Sequence, residues 1–195
     1  MGDDKKHADQ AVSEVTQSLA RVKDFESVYN VVEGTYKTEQ KDFSVALVFN
    51  NLDSMLKTDF EKRSLTVSFV VDPSVPQNVN GCRDAFTQVV MNLVAGATAG
   101  VVRTNVEVVA RQVNGTICVE VVNSRNELTK QQMRVITDVC ESTEPHEILD
   151  ASVLDLSTKV AILVAHKCGW SVTFYTEGST AKFELKADLK QGEIT

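Results

Sequence analysis

The side chains best suited to catalysis or metal binding are few in this chain, and they are scattered. It holds three histidines, His7, His146 and His166, and four cysteines, Cys82, Cys118, Cys140 and Cys168. A nucleophile needs a base within hydrogen-bonding reach, and a metal needs clustered nitrogen, sulfur or carboxylate donors. Neither His146 nor His166 has a serine, cysteine or carboxylate at a recognisable spacing, so no catalytic residue and no metal site is expected. His7 has Asp3, Asp4 and Asp9 around it, as a phosphoacceptor histidine would, but a solvated imidazole near a fraying terminus is the simpler reading. The cysteines form no C-x-x-C pair and read as buried free thiols in a reducing compartment. Trp170, just after a helix-ending glycine, reads as a core anchor rather than a stacking platform.

Charge narrows the partners. Twenty Lys and Arg stand against 27 Asp and Glu, a net charge of −7, and no run of basic residues appears. Phosphate-backbone recognition needs a basic footprint, so nucleic acid is not an expected partner. No apolar stretch is long enough to cross a bilayer, and "MGDDKKHADQ" is no signal peptide, so a soluble cytoplasmic protein without membrane insertion is expected. Asn114-Gly115-Thr116 matches a glycosylation acceptor but reads as a turn.

The elements follow from hydrophobic period. Val12, Val15, Leu19 and Val22 recur at alternating spacings of three and four, continued by Phe25, Val28, Tyr29 and Val32. That seam predicts a helix that seeks a partner helix, in this chain or in a second subunit, or one that simply packs on its own domain. Residues 1–41 are therefore an expected dimerisation segment, and 42–195 a separate domain. In the latter, Val45, Val48, Leu52 and Leu56 mark a helix, and Leu65, Val67, Phe69 and Val71 a strand ended by Pro73 and Pro76. Phe86, Val89, Val90, Leu93 and Ala97 line one face of the next helix. Two alternating runs around Asn114-Gly115 predict a tight hairpin. Thr129-x-x-Gln132 predicts a capping box. "ESTEPHEILDAS" reads as a connecting loop, and a helix stopped by Gly169 precedes a final hairpin. Helices grouped on one face of a mixed sheet make a two-layer α/β sandwich of the α+β class.

This order, together with "VDPSVPQNVNGCRDAFTQVVMNLVAGA", "VEVVNSRNELTKQQM" and "VLDLSTKVAILVAHKCGWSVTFYTEGSTAKFELKADL", resembles the ATP-binding domain of histidine kinases and their GHKL relatives, of Bergerat fold, over Asp42 to Leu189. Residues 7–33 resemble the second helix of the kinase dimerisation and phosphotransfer hairpin, with no complete first helix before them. The resemblance implies a helical asparagine for magnesium, an aspartate and glycines for adenine, and a glycine-rich run for phosphate. Asn92 matches the upstream member of the first motif, but one turn later stands Gly96. Asn123 stands where the aspartate is expected, followed by Ser124, Arg125, Asn126 and Glu127.

At the phosphate motif the glycines are replaced by Ala151-Ser152-Val153-Leu154-Asp155-Leu156. Asp155 or Ser152 is expected to cap the helix itself and take up its donors. Glu141, Glu144, Glu147 and Asp150 add like charge beside any triphosphate. Set against the resemblance, these departures predict a non-enzymatic, pseudokinase-like signalling or scaffold protein. It would lack a nucleotide cofactor, keep Asn92 and Asn123 as vestigial positions, and act through homodimerisation and protein partners. The alternatives are a histidine phosphotransfer protein, which would need His7 because residues 10–33 hold no histidine, or a weak ATP-binding kinase-like protein.

Overall fold

A computed structural model describes residues 15, 18–19, 21–99, 103–125 and 128–192. The chain divides into two compact units, Met1–Tyr36 and Lys37–Thr195. In the first, helix α1 is described over residues 21–32, and residues 15, 18 and 19 are also helical. It closes on Gly34 at φ 72, with the Thr35 and Tyr36 N–H groups both donating to the Asn30 carbonyl. Val15, Leu19, Val22, Phe25, Tyr29 and Val32 are each more than half exposed, from 52% to 64%. On the same helix the polar Asp24 and Ser27 are buried. The apolar seam is thus the open face of the helix, the reverse of an ordinary surface helix. Val12 and His7 lie outside the described residues.

The second unit runs β1 (Lys41–Phe43), α2 (Val45–Lys62), β2 (Thr66–Val71), β3 (Val79–Gly81), α3 (Arg83–Ala97), β4 (Asn105–Val113), β5 (Thr116–Asn123), α4 (Lys130–Glu141), α5 (Pro145–Asp150), α6 (Leu156–Lys167), β6 (Ser171–Glu177), β7 (Thr180–Ala187) and β8 (Lys190–Gln191). Five strands form one sheet in the order β2-β4-β5-β7-β6, with only β2 and β4 parallel. A small antiparallel sheet, β1-β3-β8, stands apart. Its strands are too short for an alternating pattern to show in the sequence. The expected boundary between residues 41 and 42 falls inside β1.

Local chemistry explains the large sheet. Asn114 and Gly115 both take positive φ, 51 and 87, the conformation a two-residue hairpin demands so that its twist matches the strands. From that turn β4 and β5 pair without a break from Val113–Thr116 to Val106–Asn123. Val106, Val108, Ala110, Ile117, Val119, Val121, Phe183, Leu185 and Ala187 share one buried face. α3 packs on β4, β5 and β7, α2 on β2, and α4 and α6 on β6. Phe86 anchors α3, with Phe43 at 5.5 Å and Trp170 edge-on at 6.3 Å between ring centroids.

The opposite face of the sheet is polar. Glu120 pairs with both Arg111 and Lys182, and Glu184, directly across from Glu120 on β7, pairs with Lys186.

The capping box is present: Thr129 accepts from the Gln132 N–H, and the Gln132 side chain accepts from the Thr129 N–H. One expectation needs correction. The segment taken as a connecting loop contains α5, with Pro145 in its first turn and Ile148 buried. Proline at a helix start costs no hydrogen bond, so a residue that suggests a loop also opens a helix.

His166, near the end of α6, lies close to the Cys140 backbone at the end of α4, and its buried Nδ1 has no hydrogen-bond partner among the described residues. Burial holds its pKa below the ordinary 6.5, against the opposing influence of the Cys140 backbone. Between those two values the unfolded chain binds the extra proton and the folded chain does not. Stability therefore falls as pH drops below about 6.5 and this contribution levels off beneath the depressed value. Denaturant melts across pH 4–7 are expected to show this component in the native chain and its loss in His166→Asn. Identical pH profiles for the two would remove His166 as its source.

Candidate functional site

The motif positions converge on the C-terminal half of α3. Asn123, at the end of β5, is buried and spans three groups. Its Nδ2 donates to the Ala97 carbonyl at 2.8 Å, while its Oδ1 accepts from Thr104 Oγ1 at 3.2 Å and from the Arg125 N–H at 2.8 Å. Both ends of the amide are thereby engaged, fixing the helix end to the sheet. Asn92 is buried one turn before Gly96 on α3. The Arg125 side chain is exposed, and residues 126–127 lie outside the described residues.

Helix α6 begins at the same place. Asp155 is its N-cap: Oδ1 accepts from the Thr158 N–H at 3.1 Å and Oδ2 from Thr158 Oγ1 at 2.8 Å. A helix start normally offers free N–H groups and a partial positive charge to an anion. Here a carboxylate of the chain sits on that start and takes up one of the donors.

Thr158, 2% exposed, faces Gly96 so closely that a β-carbon built at position 96 would overlap its hydroxyl oxygen and lie 3.2 Å from Asp155 Oδ2. The threonine fills the space in which any side chain at 96 would start. Glycine is there because the two helices touch, and the sequence alone offered no signal for that contact, which spans 62 positions of chain.

Two cations near the site were not singled out in the sequence. Lys159 Nζ donates to the Leu149 carbonyl at 2.6 Å, closing the end of α5 beneath the acidic segment. Arg63 donates to the Thr98 carbonyl, just beyond α3, and pairs with Asp59 at 3.3 Å. Lys159, as the first basic residue after Asp155, was visible as a candidate, but its partner is a backbone carbonyl. The carboxylates of Glu141, Glu144, Glu147 and Asp150 belong to exposed residues; Glu147 accepts from Ser142 Oγ at 2.5 Å, and exposed His146 lies 3.9 Å from Glu144.

Neither protein-family models nor curated proteins match the sequence. Solved structures do match the fold. The histidine kinase AdeS of Acinetobacter baumannii superposes with a TM-score of 0.69 at 12% identity, over 94% of this chain and 84% of AdeS. The nucleotide-free catalytic domain of histidine kinase ThkA gives 0.60 at 15%, over 76% of this chain and 95% of that domain. Full-length ShkA, solved with AMPPNP, gives 0.71 at 13%, over 95% of this chain but 39% of ShkA. The chain has the fold of histidine-kinase catalytic domains. Among the described residues no helix is long and apolar enough to cross a membrane.

The close contact at position 96 makes a stability prediction with a definite sign. Helix propensity alone would make Gly96→Ala stabilising by about 1 kcal/mol. Overlap with Thr158 reverses this, and Gly96→Asn is expected to cost about 1–3 kcal/mol in urea melts. Adding Thr158→Ala should recover part of that loss, a coupling a double-mutant cycle measures. A more stable Gly96→Ala protein would show that the helices part easily at this point.

Proposed function

We propose that this chain, built on the fold of histidine-kinase catalytic domains, is a non-catalytic signalling or scaffold protein that has given up nucleotide binding and acts through dimerisation and protein contacts. The observation that carries this reading is the occupation of position 96 by its neighbour: Thr158, held by the Asp155 cap, fills the volume where a metal-binding side chain would begin. Magnesium requires near-octahedral oxygen ligands, and glycine supplies none from a side chain. Asp155 also places negative charge where a triphosphate would seek helix donors, and the carboxylates of residues 141–150 add to it. Asn123 would have to abandon its carbonyl, hydroxyl and amide partners to read an adenine amine.

The open seam of α1 supports the second half of the proposal. Six apolar side chains spaced three and four apart, each more than half exposed, suit a second copy of the same helix. ThkA has been solved with its response regulator TrrA; for this chain a protein partner is a proposal of kind rather than of name. No observation favours the phosphotransfer alternative, whose candidate histidine, His7, lies outside the described residues.

Two measurements test the two halves separately. Calorimetric titration with ATP and magnesium, with ADP as comparison, is expected to give no heat and no thermal stabilisation at millimolar nucleotide. Magnesium-dependent micromolar binding would sink the non-catalytic reading. Sedimentation equilibrium is expected to show a dimer that Val22→Glu combined with Phe25→Glu converts to monomer, with the melting of the sheet domain little changed. A native chain that sediments as a monomer would reject the seam as a dimer contact.

A further inference from the structure

The large sheet is finished along one edge and open along the other. On the β6 edge the inward residues Val172 and Phe174 are buried, and the strand ends in the charged Glu177. On the β2 edge the residues of the same layer, Val67, Phe69 and Val71, stay half-buried. Their register partners on β4, Val106, Val108 and Ala110, are buried. Phe69 meets Phe49 of α2 edge-on at 5.5 Å, so the helix shields this layer from above while its flank stays open.

The backbone is open at the same place. β2 runs parallel to β4, and at its two ends the Thr66 and Asp72 N–H groups donate to the Thr104 and Ala110 carbonyls. Bonding residues alternate along such a ladder, so Thr66, Ser68, Val70 and Asp72 face β4. Val67, Phe69 and Val71 turn their N–H and C=O groups outward, where none has a partner among the described residues. Natural edges are commonly blunted by lysine, proline or a bulge. From Thr66 to Val71 this strand carries none of these and no charge. Pro73, at the next outward position, lacks an N–H and sets where pairing must stop.

We propose that the β2 edge is an interaction surface whose occupant is the β2 strand of a second copy, paired antiparallel about Phe69. The strand is complementary to itself in that register. Phe69 lies opposite its own counterpart, Val67 opposite Val71, Ser68 opposite Val70, and Thr66 opposite Asp72. Each opposed pair of outward residues exchanges two N–H to C=O bonds. The half-buried side chains of the two copies cover one another, with the aromatic pair at the centre. On the outer face no like charges meet, and the Thr66 hydroxyl comes beside the Asp72 carboxylate. This arrangement has a two-fold axis and closes on itself. It involves one strand per copy, and so small a contact is weak, with a Kd on the order of 0.1–1 mM. It therefore forms at high concentration, or where another contact already holds two copies together.

The test uses the full chain carrying Val22→Glu and Phe25→Glu, so that association through α1 does not contribute. Sedimentation and amide hydrogen exchange are followed from about 20 µM to about 2 mM, a range that brackets the expected Kd. At the low end the chain is expected to be a monomer, with the Ser68 and Val70 amides protected and those of Val67, Phe69 and Val71 exchanging freely. At the high end it is expected to be a dimer whose three outward amides exchange about three- to sevenfold more slowly. Ser68→Lys combined with Val70→Lys changes two exposed residues and sets like charges directly opposite in the proposed register. That variant is expected to stay monomeric throughout, with its melting temperature little changed. The proposal is overturned if the chain remains monomeric at the high end, if it pairs without protecting the three outward amides, or if the lysine variant pairs equally well. Protection of those amides already in the monomer would also overturn it, because the chain would then be covering its own edge.

Discussion

The close approach of α3 and α6 at Gly96 and Thr158 is the constraint around which the domain is arranged. Packed helices ordinarily keep their axes apart by the bulk of the side chains between them. Removing the side chain on one helix lets the hydroxyl of the other enter its surface, and that hydroxyl is itself held by the Asp155 cap. The same contact that seats α6 also fixes where its first turn points. Moving α6 to admit a larger residue at 96 would therefore disturb the cap, the buried residues from Val160 to Ala165, and the packing of Trp170 on Phe86 at the far end.

Polar groups around this contact are used to finish helices rather than to face solvent. Asn123 closes the Ala97 carbonyl, Arg63 the Thr98 carbonyl and Lys159 the Leu149 carbonyl. Each ties a helix end to another element: a strand, a neighbouring helix, or the next helix in the chain. Leaving a buried backbone carbonyl without its partner costs about 1–3 kcal/mol, so these side chains are constrained by structure wherever they might otherwise have served a ligand.

Much of this was legible in the sequence. The Asn114-Gly115 turn, the Thr129–Gln132 box, the Gly169 stop and the alternating Phe183–Leu185–Ala187 face are local signals, and local signals survive without tertiary context. Asp155 as a cap was also readable, because N-cap chemistry spans three residues. What escaped was set by distance along the chain. The α3–α6 contact joins Gly96 to Thr158, and the strands of the small sheet are too short to carry a period. Gly96 read as something missing; next to Thr158 it is a fitted part. Pro145 misled for a different reason, since proline marks both loops and the first turn of helices.

The outer face of the large sheet leaves the domain electrically lopsided. There Glu107, Glu120, Glu177 and Glu184 stand among Arg111, Lys182 and Lys186, so that face carries little net charge. The stretch from Asp138 to Asp155 holds six carboxylates and no lysine or arginine. The negative charge of this second unit is thus concentrated between the last turn of α4 and the cap of α6, giving that unit a negative pole. A basic protein surface diffusing past would be turned toward that pole before any contact formed, and an acidic one turned away.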